Sequence, residues 1–401
     1  MFGVPCILNE PYDLDVGKYA VFTWYGCDVV LTGVPNVPKP SSSSPLVSAY
    51  VTEDQNFSML AAVNVHGRLE QARENALASQ GRGPVVVIVG PTDTGKSTLS
   101  RILCAYAARR NKRPIMVDLD PGQSDLAPPG ALAANPVDVE NLSVEDGLST
   151  GGALVYYYGF ASPGEAPDYY KKCVEKLAST IEARWAMDPS RRASGCIVNT
   201  CGWVEGEGYN LLVHAIETFK ADVVLVMGQD LLLNKVKKSL PESCVVIKLP
   251  VSGGATVRNR EFRKQSRDRK IRDYFNGARI AGVSLTPTSQ DISFDDVVIL
   301  RIPNKEDIAE EGIRPVGKAS AIDPNRARPV TLDGSLEHCL LGISHAQSEA
   351  DVLHKNVAGF VHVQRVDVAT RTLTLLCPQK GPLPGKYLVM GGIKWIDASG
   401  S

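Results

Sequence analysis

With 401 residues, 44% of them apolar, and a net charge of −1, the chain is long enough for about two to three domains with large cores. Near-neutral charge excludes attraction to nucleic acid or membrane through bulk charge, leaving only local patches. Nine scattered cysteines with no Cys-x-x-Cys pair argue against a disulfide framework and a zinc site. Neither a charged, then apolar, leader nor a span-length apolar run is present, so a soluble intracellular protein is expected.

Residues 1–65 read as a small N-terminal β domain. Tyr19–Trp24 and Cys27–Thr32 predict two strands about a Tyr25-Gly26 turn, and Leu46–Val51 and Met59–Val65 predict two more. Between them Val34–Pro45, rich in proline and serine, predicts a mobile loop. These strands are too few for a sandwich. His66–Gln80 is polar with Leu69, Ala72 and Ala76 on one side, a helix within a connector over residues 66–83.

The stretch Val85–Thr98 organises the rest. Val85–Val89 is a β-branched run of the kind buried in parallel sheets, and Gly90 ends it. Gly90, Gly95, Lys96 and Ser97 fit G-x-x-x-x-G-K-[ST], and the pattern then turns helical, with Leu99, Ile102, Leu103 and Tyr106 on one face. Strand, glycine loop and helix in that order are the setting of a P-loop. Its amides wrap polyphosphate at a helix N-terminus, its lysine reaches the β- and γ-phosphates, and its serine ligates Mg²⁺.

Strand and helix patterns then alternate, which predicts an α/β domain over 84–284 with a parallel sheet covered on both faces. The strands are Pro114–Leu119, Gly195–Asn199, Asp222–Met227 and Cys244–Leu249. The helices are Tyr169–Met187, Tyr209–Phe219, Leu231–Leu240 and the basic Arg258–Tyr274. From Leu285 the pattern changes to β runs at Val297–Ile302, Cys339–Ile343, Val357–Val366, Thr372–Cys377 and Tyr387–Met390, with a charged loop at Asn304–Arg328, so 285–401 reads as a mostly β C-terminal domain.

Three constellations accompany the P-loop. Val117–Gln123 ends the second strand, where open α/β sheets carry their ligands. Asp120, past the apolar run, is favoured over Asp118 for holding metal or taking a proton, against a reading in which both cap the turn at Pro121-Gly122. Thr200–Gly208 follows the next strand, and its Trp203 reads equally as a base-stacking platform or a core residue. In the basic helix Arg263 and Arg267 are four apart, hence on one face, suited to close over phosphates or an RNA backbone; the competing reading is a solvated charged helix. The six histidines have no metal-ligand spacing. The guanine-reading Asn-Lys-x-Asp motif is missing after Met227, which leans towards ATP.

Together Gly90–Thr98, Asp118–Gln123, Asn199–Val204, Gly206–Tyr209, Ser252–Gly254 with the arginines after it, Val357–Phe360 and Leu376–Pro378 resemble the eukaryotic polyribonucleotide 5′-hydroxyl kinase family. That family is the kinase-like subunit of the pre-mRNA cleavage and polyadenylation complex and, in animals, of the tRNA-splicing endonuclease complex. The resemblance implies an N-terminal β domain, a central P-loop kinase domain and a C-terminal domain. It implies a nuclear enzyme that uses ATP and Mg²⁺ to phosphorylate 5′-hydroxyl RNA, with subunits of those complexes as partners and no membrane. Carried over by position, Gly90, Thr92, Asp93, Thr94, Gly95, Lys96, Ser97, Thr98 and Arg258 hold nucleotide. Ser97 and Asp120 hold metal, Lys96, Asp120, Arg263 and Arg267 serve catalysis, and Gln123 and Trp203 meet substrate. There are departures. The first N-terminal strands look missing, Val34–Pro45 looks inserted, Gly228 replaces a common aspartate, and Asp118 stands where relatives often carry glutamate. An ATP-bound scaffold with little or no catalysis is the alternative. A metabolic or GTPase-like P-loop protein is a third.

Overall fold

The computed structural model describes residues 1, 3–14, 19–32, 50–52, 57–145, 147–149, 151–277, 286–307, 323 and 326–396. Helix α1 (Ser58–Ala78) leads into the central domain. There follow β1 (Val85–Val89), α2 (Lys96–Arg109), β2 (Ile115–Asp118), β3 (Ala131–Pro136), a small ladder of β4 (Leu142–Ser143) with β5 (Gly147–Leu148), and β6 (Leu154–Tyr157). The domain continues through α3 (Pro167–Met187), α4 (Pro189–Ser194), β7 (Cys196–Asn199), α5 (Gly206–Thr218), β8 (Val223–Met227), α6 (Asp230–Ser239), β9 (Val245–Leu249) and α7 (Arg260–Asn276).

The sheet runs β6-β3-β2-β7-β1-β8-β9. Every side chain of β1 is buried, as the unbroken β-branched run requires of a central parallel strand. Strands β2, β7, β1, β8 and β9 are parallel, but β3 is antiparallel to both β2 and β6. The expected parallel sheet is therefore mixed at one edge. β3 (Ala-Leu-Ala-Ala-Asn-Pro) is alanine-rich, so it carries little of the β-branched signal that marks the parallel strands.

Two N-terminal expectations are corrected. Met59–Val65 is not a strand but lies in α1, which buries Ala62, Val65, Leu69, Arg73 and Ala76 at helical spacing. The apolar run faces the P-loop domain, so its period rather than its composition decides. Tyr19–Trp24 and Cys27–Thr32 form no ladder, and Trp24 and Tyr25 are exposed. Among the described residues no strand lies beside these two segments, and an isolated hairpin has little apolar face to hold it. Tyr50 and Val51 carry no strand, while 46–49 and Val34–Pro45 fall outside the described residues.

The C-terminal sheet holds β10 (Thr288–Ser293), β11 (Val298–Arg301), β12 (Arg328–Pro329), β13 (Cys339–Ser344), β14 (Val357–Asp367), β15 (Thr372–Cys377) and β16 (Tyr387–Lys394), in the order β10-β15-β14-β13-β16-β11-β12. β10 and β12 were not expected, the first because Thr-Ser-Gln-Asp-Ile-Ser is too polar to read as a strand. Most of the loop 304–328 lies outside the described residues.

One apolar cluster runs through both domains. Tyr157 donates to the Leu340 carbonyl at 2.8 Å and packs edge-on against Phe360. The end of α7 is held in the C-terminal sheet: the Phe360 amide donates to Tyr274 Oη at 2.9 Å, and Phe275 stacks on Trp395 at 5.9 Å. The domains also touch backbone to backbone, with the Gly392 amide donating to Gly159 O at 2.8 Å. A Cβ on Gly391 would lie 2.2 Å from that same oxygen. Gly391→Ala is therefore expected to cost about 3 kcal/mol, at the upper end of overpacking changes. A denaturant midpoint equal to wild type would show that the domain contact yields freely.

Candidate active site

The P-loop sits between β1 and α2. Its backbone needs three left-handed or strained positions, at Gly90 (φ 156), Asp93 (φ 63) and Gly95 (φ 88). At Gly90 a side chain would run into Met227, with Cβ 2.8 Å away, whereas Gly95 faces open space. Thr94 Oγ1 donates to the Pro91 carbonyl at 2.9 Å, and Lys96 Nζ donates to the same oxygen at 2.7 Å. Lys96 is only 7% exposed. Burial lowers its pKa, and Asp120, Cys201, Asp93 and Asp118 pull the other way.

Sheet register brings the next groups in. Asn199 is the Cα partner of both Ile88 and Asp118, so the ends of β1, β2 and β7 converge beside the loop. Asn199 Nδ2 donates to Asp118 Oδ1 at 2.9 Å and to Ser97 Oγ at 3.2 Å. Its Oδ1 is buried without a partner. The amide thus bridges a serine hydroxyl and a carboxylate, two oxygen donors of the kind a hydrated Mg²⁺ takes. The carboxylate tied to Ser97 is thus that of Asp118, where the sequence favoured Asp120 for metal. Asn199 was noted only as part of a motif, because the partnership depends on strand order.

Burial, with Asp125 and Asp120 nearby, pushes the Asp118 carboxyl up to about 7. Folding with a raised carboxyl pKa costs stability as pH rises from the ordinary value towards the folded one. The melting temperature of wild-type protein without nucleotide should therefore fall relative to Asp118→Asn between about pH 4 and pH 7. Parallel melting curves across that range would count against a buried ionising carboxyl.

Asp120 caps the turn that follows β2. Its Oδ1 accepts from the amides of Gly122 (2.9 Å) and Gln123 (3.1 Å), which is the turn-capping arrangement. It also faces Lys96: burial raises its pKa, and Lys96 is the first influence holding it down. Gln123 Nε2 donates to the carbonyls of Gly122 (2.6 Å) and Arg263 (3.3 Å), joining the turn to α7.

Helix α7 lies across the loop. Asn259 caps it, accepting from the Phe262 amide at 2.8 Å. Asp93 Oδ2 accepts from the Arg258 amide at 2.8 Å and from Arg263 Nη2 at 2.7 Å. Arg258 thus meets the loop through its backbone, while its guanidinium lies over the Phe262 ring. Arg267 is half-buried one turn beyond Arg263. Lys270, which the sequence did not single out, donates to the Gln123 and Ser124 carbonyls and to Asp125, which also pairs with Arg101 at 2.8 Å. The basic helix is therefore neither free nor fully solvated.

Trp203 is 36% exposed, so it is not a core residue. Its indole lies against two glycines: a Cβ would come within 3.0 Å of it at Gly164 and within 2.4 Å at Gly208. Gly202 packs on Thr92, where a Cβ would lie 2.5 Å from Oγ1. Gly228, at φ 75, leaves no room for an aspartate, since a Cβ would sit 2.7 Å from Val251 Cγ2. Among the described residues no three metal-ligating His, Cys, Asp or Glu side chains cluster, and all nine cysteines are free. No described helix is long and apolar enough to cross a membrane.

Residues 90–277 match the family described as mRNA cleavage and polyadenylation factor CLP1 P-loop, and 285–397 match Pre-mRNA cleavage complex II protein Clp1. Residues 1–76 match the N-terminal beta-sandwich domain of polyadenylation factor. The chain is 39% identical over 390 residues to "Protein CLP1 homolog" of Arabidopsis thaliana, covering 95% of this chain and 84% of that one. It is 38% identical to "Polyribonucleotide 5'-hydroxyl-kinase Clp1" of Gallus gallus and 37% identical to that of Homo sapiens, in each case over 99% of this chain and 89% of the relative. The solved Clp1p in "Structure of wild-type Clp1p-Pcf11p (454 -563) complex" superposes with a TM-score of 0.74 at 28% identity, covering 85% of this chain and 80% of that one. A second, "Extended interface between Pcf11p and Clp1p and structural basis for ATP loss in Gly135Arg point mutant", gives 0.73 at 28% identity, over 84% and 80%. With its three-part architecture, its P-loop and these likenesses along nearly its whole length, the chain belongs to the Clp1 family.

Proposed function

We propose that this chain is an ATP-dependent polynucleotide 5′-hydroxyl kinase that phosphorylates RNA 5′ ends in nuclear pre-mRNA 3′-end processing and tRNA splicing. The observation that carries the reading is the meeting of buried Lys96, the Asp120 carboxylate and the arginine helix at one P-loop, with exposed Trp203 next to Gly202, which packs on Thr92 of that loop. Phosphoryl transfer needs chiefly positioning and charge stabilisation, and these groups supply both.

In this reading the loop from Gly90 to Thr98 wraps the phosphates, and Lys96 leaves the Pro91 carbonyl to meet the β- and γ-oxygens. Ser97, linked through Asn199 to Asp118, would hold Mg²⁺, whose charge would offset that of the phosphates. Asp120 accepts the proton of the RNA 5′-hydroxyl. The freed oxygen bonds to the γ-phosphorus as its bond to the β-γ bridging oxygen breaks, leaving ADP. A carboxyl whose pKa is raised by burial is a stronger base than an ordinary aspartate. Arg263 and Arg267 face the transferred charge, and Trp203 stacks on the terminal base.

The test is transfer of labelled γ-phosphate from ATP–Mg²⁺ to a short 5′-hydroxyl RNA. Labelled RNA is the expected result. Unlabelled RNA beside a working control kinase would overturn it, and retained ATP binding would then favour a nucleotide-bound scaffold in the cleavage and polyadenylation complex. That second reading draws on the Clp1p structures, which are of a complex with Pcf11p.

A further inference from the structure

We propose that Asp93, the acidic residue of the P-loop, is a positioning residue that latches the arginine helix closed by carrying Arg263. The proposal rests on the reading of the loop as a phosphate site. The geometry is one-sided. The backbone at Asp93 is left-handed, and its carboxylate reaches α7. There one oxygen takes two donors, the Arg258 amide just before the helix and the Arg263 guanidinium in its first turn. The Asp93 side chain is 10% exposed and that of Arg263 32%, so the pair is largely sheltered from solvent. A charge-assisted bond in such a place is stronger than one on the open surface.

The rest of α7 is held by other means. Lys270 binds the Gln123 and Ser124 carbonyls, and Tyr274 and Phe275 are packed in the C-terminal domain. Gln123 adds a bond to the Arg263 carbonyl at 3.3 Å. The start of the helix is therefore tied to the loop by Asp93, with one longer bond from Gln123, while its end is held without Asp93. Electrostatics points the same way. A bare carboxylate at the apex of a phosphate-binding loop repels its own ligand. Paired with Arg263 it is neutralised, and phosphate arriving at the loop then competes for the same guanidinium. Entry of phosphate and the state of the helix are thereby coupled through one side chain.

The test is amide hydrogen exchange on the full chain without nucleotide, comparing wild type with Asp93→Asn and Asp93→Glu. Asparagine keeps the left-handed backbone but loses the charge, whereas glutamate keeps the charge and tolerates that backbone less well. A latch predicts about tenfold faster exchange over 258–264 in the asparagine variant, near-wild-type exchange there in the glutamate variant, and unchanged exchange over 270–275 and in α3 in both. A purely conformational role predicts the reverse order. Any pattern other than loosening confined to 258–264 in asparagine alone overturns the latch. Neither ATP nor turnover enters the measurement, so loss of the kinase reading would not decide it.

Discussion

Lys96→Ala is expected to abolish RNA labelling, by at least about a thousandfold, and to weaken ATP binding strongly. Lys96 brings the buried positive charge of the loop, and its ammonium donates to a loop carbonyl it can leave. Its removal should not unfold the protein. The folded state already disfavours this ammonium, since burial lowers its pKa, and alanine suits the first turn of α2. Melting temperature and ATP binding should therefore separate, the first nearly unchanged and the second lost. Equilibrium binding of labelled ATP beside a melting curve checks both. An alanine variant that binds ATP as wild type would remove Lys96 from the phosphate site.

Asp120→Asn is expected to reduce labelling by about a hundredfold to ten-thousandfold while ATP binding changes only a few-fold. Asparagine keeps an oxygen for the Gly122 and Gln123 amides, so the turn should survive. What it loses is the ability to accept a proton, and the charge facing Lys96. Single-turnover labelling at saturating ATP isolates the chemical step from binding. Wild-type labelling by this variant would move the proton acceptor elsewhere. Asp118 is then the next carboxylate to test, since it shares the same strand end.

Much of this was legible before folding. The P-loop declares itself through Val85–Val89, two glycines and Lys96-Ser97, because a buried strand, an open backbone and a helix start each demand particular residues in order. The amphipathic and basic helices were likewise legible, within a few residues at each end. Short or polar strands were not. β3, β10 and β12 owe their place to partners rather than to their own pattern: β3 is alanine-rich, β10 is polar and β12 has only two residues. The first turns of α1 were misread as strand because a run of apolar residues names its structure only through which face is buried.

The site divides in the same way. Sequence determined which residue types are present: a phosphate loop, two aspartates after β2, a tryptophan after β7 and arginines spaced to share a helical face. Tertiary structure alone decided which of them meet. Strand order set Asn199 beside Asp118 and Ser97, although they lie 81 and 102 residues apart in the chain. Packing of α7 against the C-terminal sheet laid the arginines over the loop and gave Arg263 to Asp93, 170 residues away. Local pattern encodes local geometry, because dihedral preference and burial period act over a few residues. Contacts between distant groups depend on how sheets order and domains dock, and no short stretch of sequence contains that.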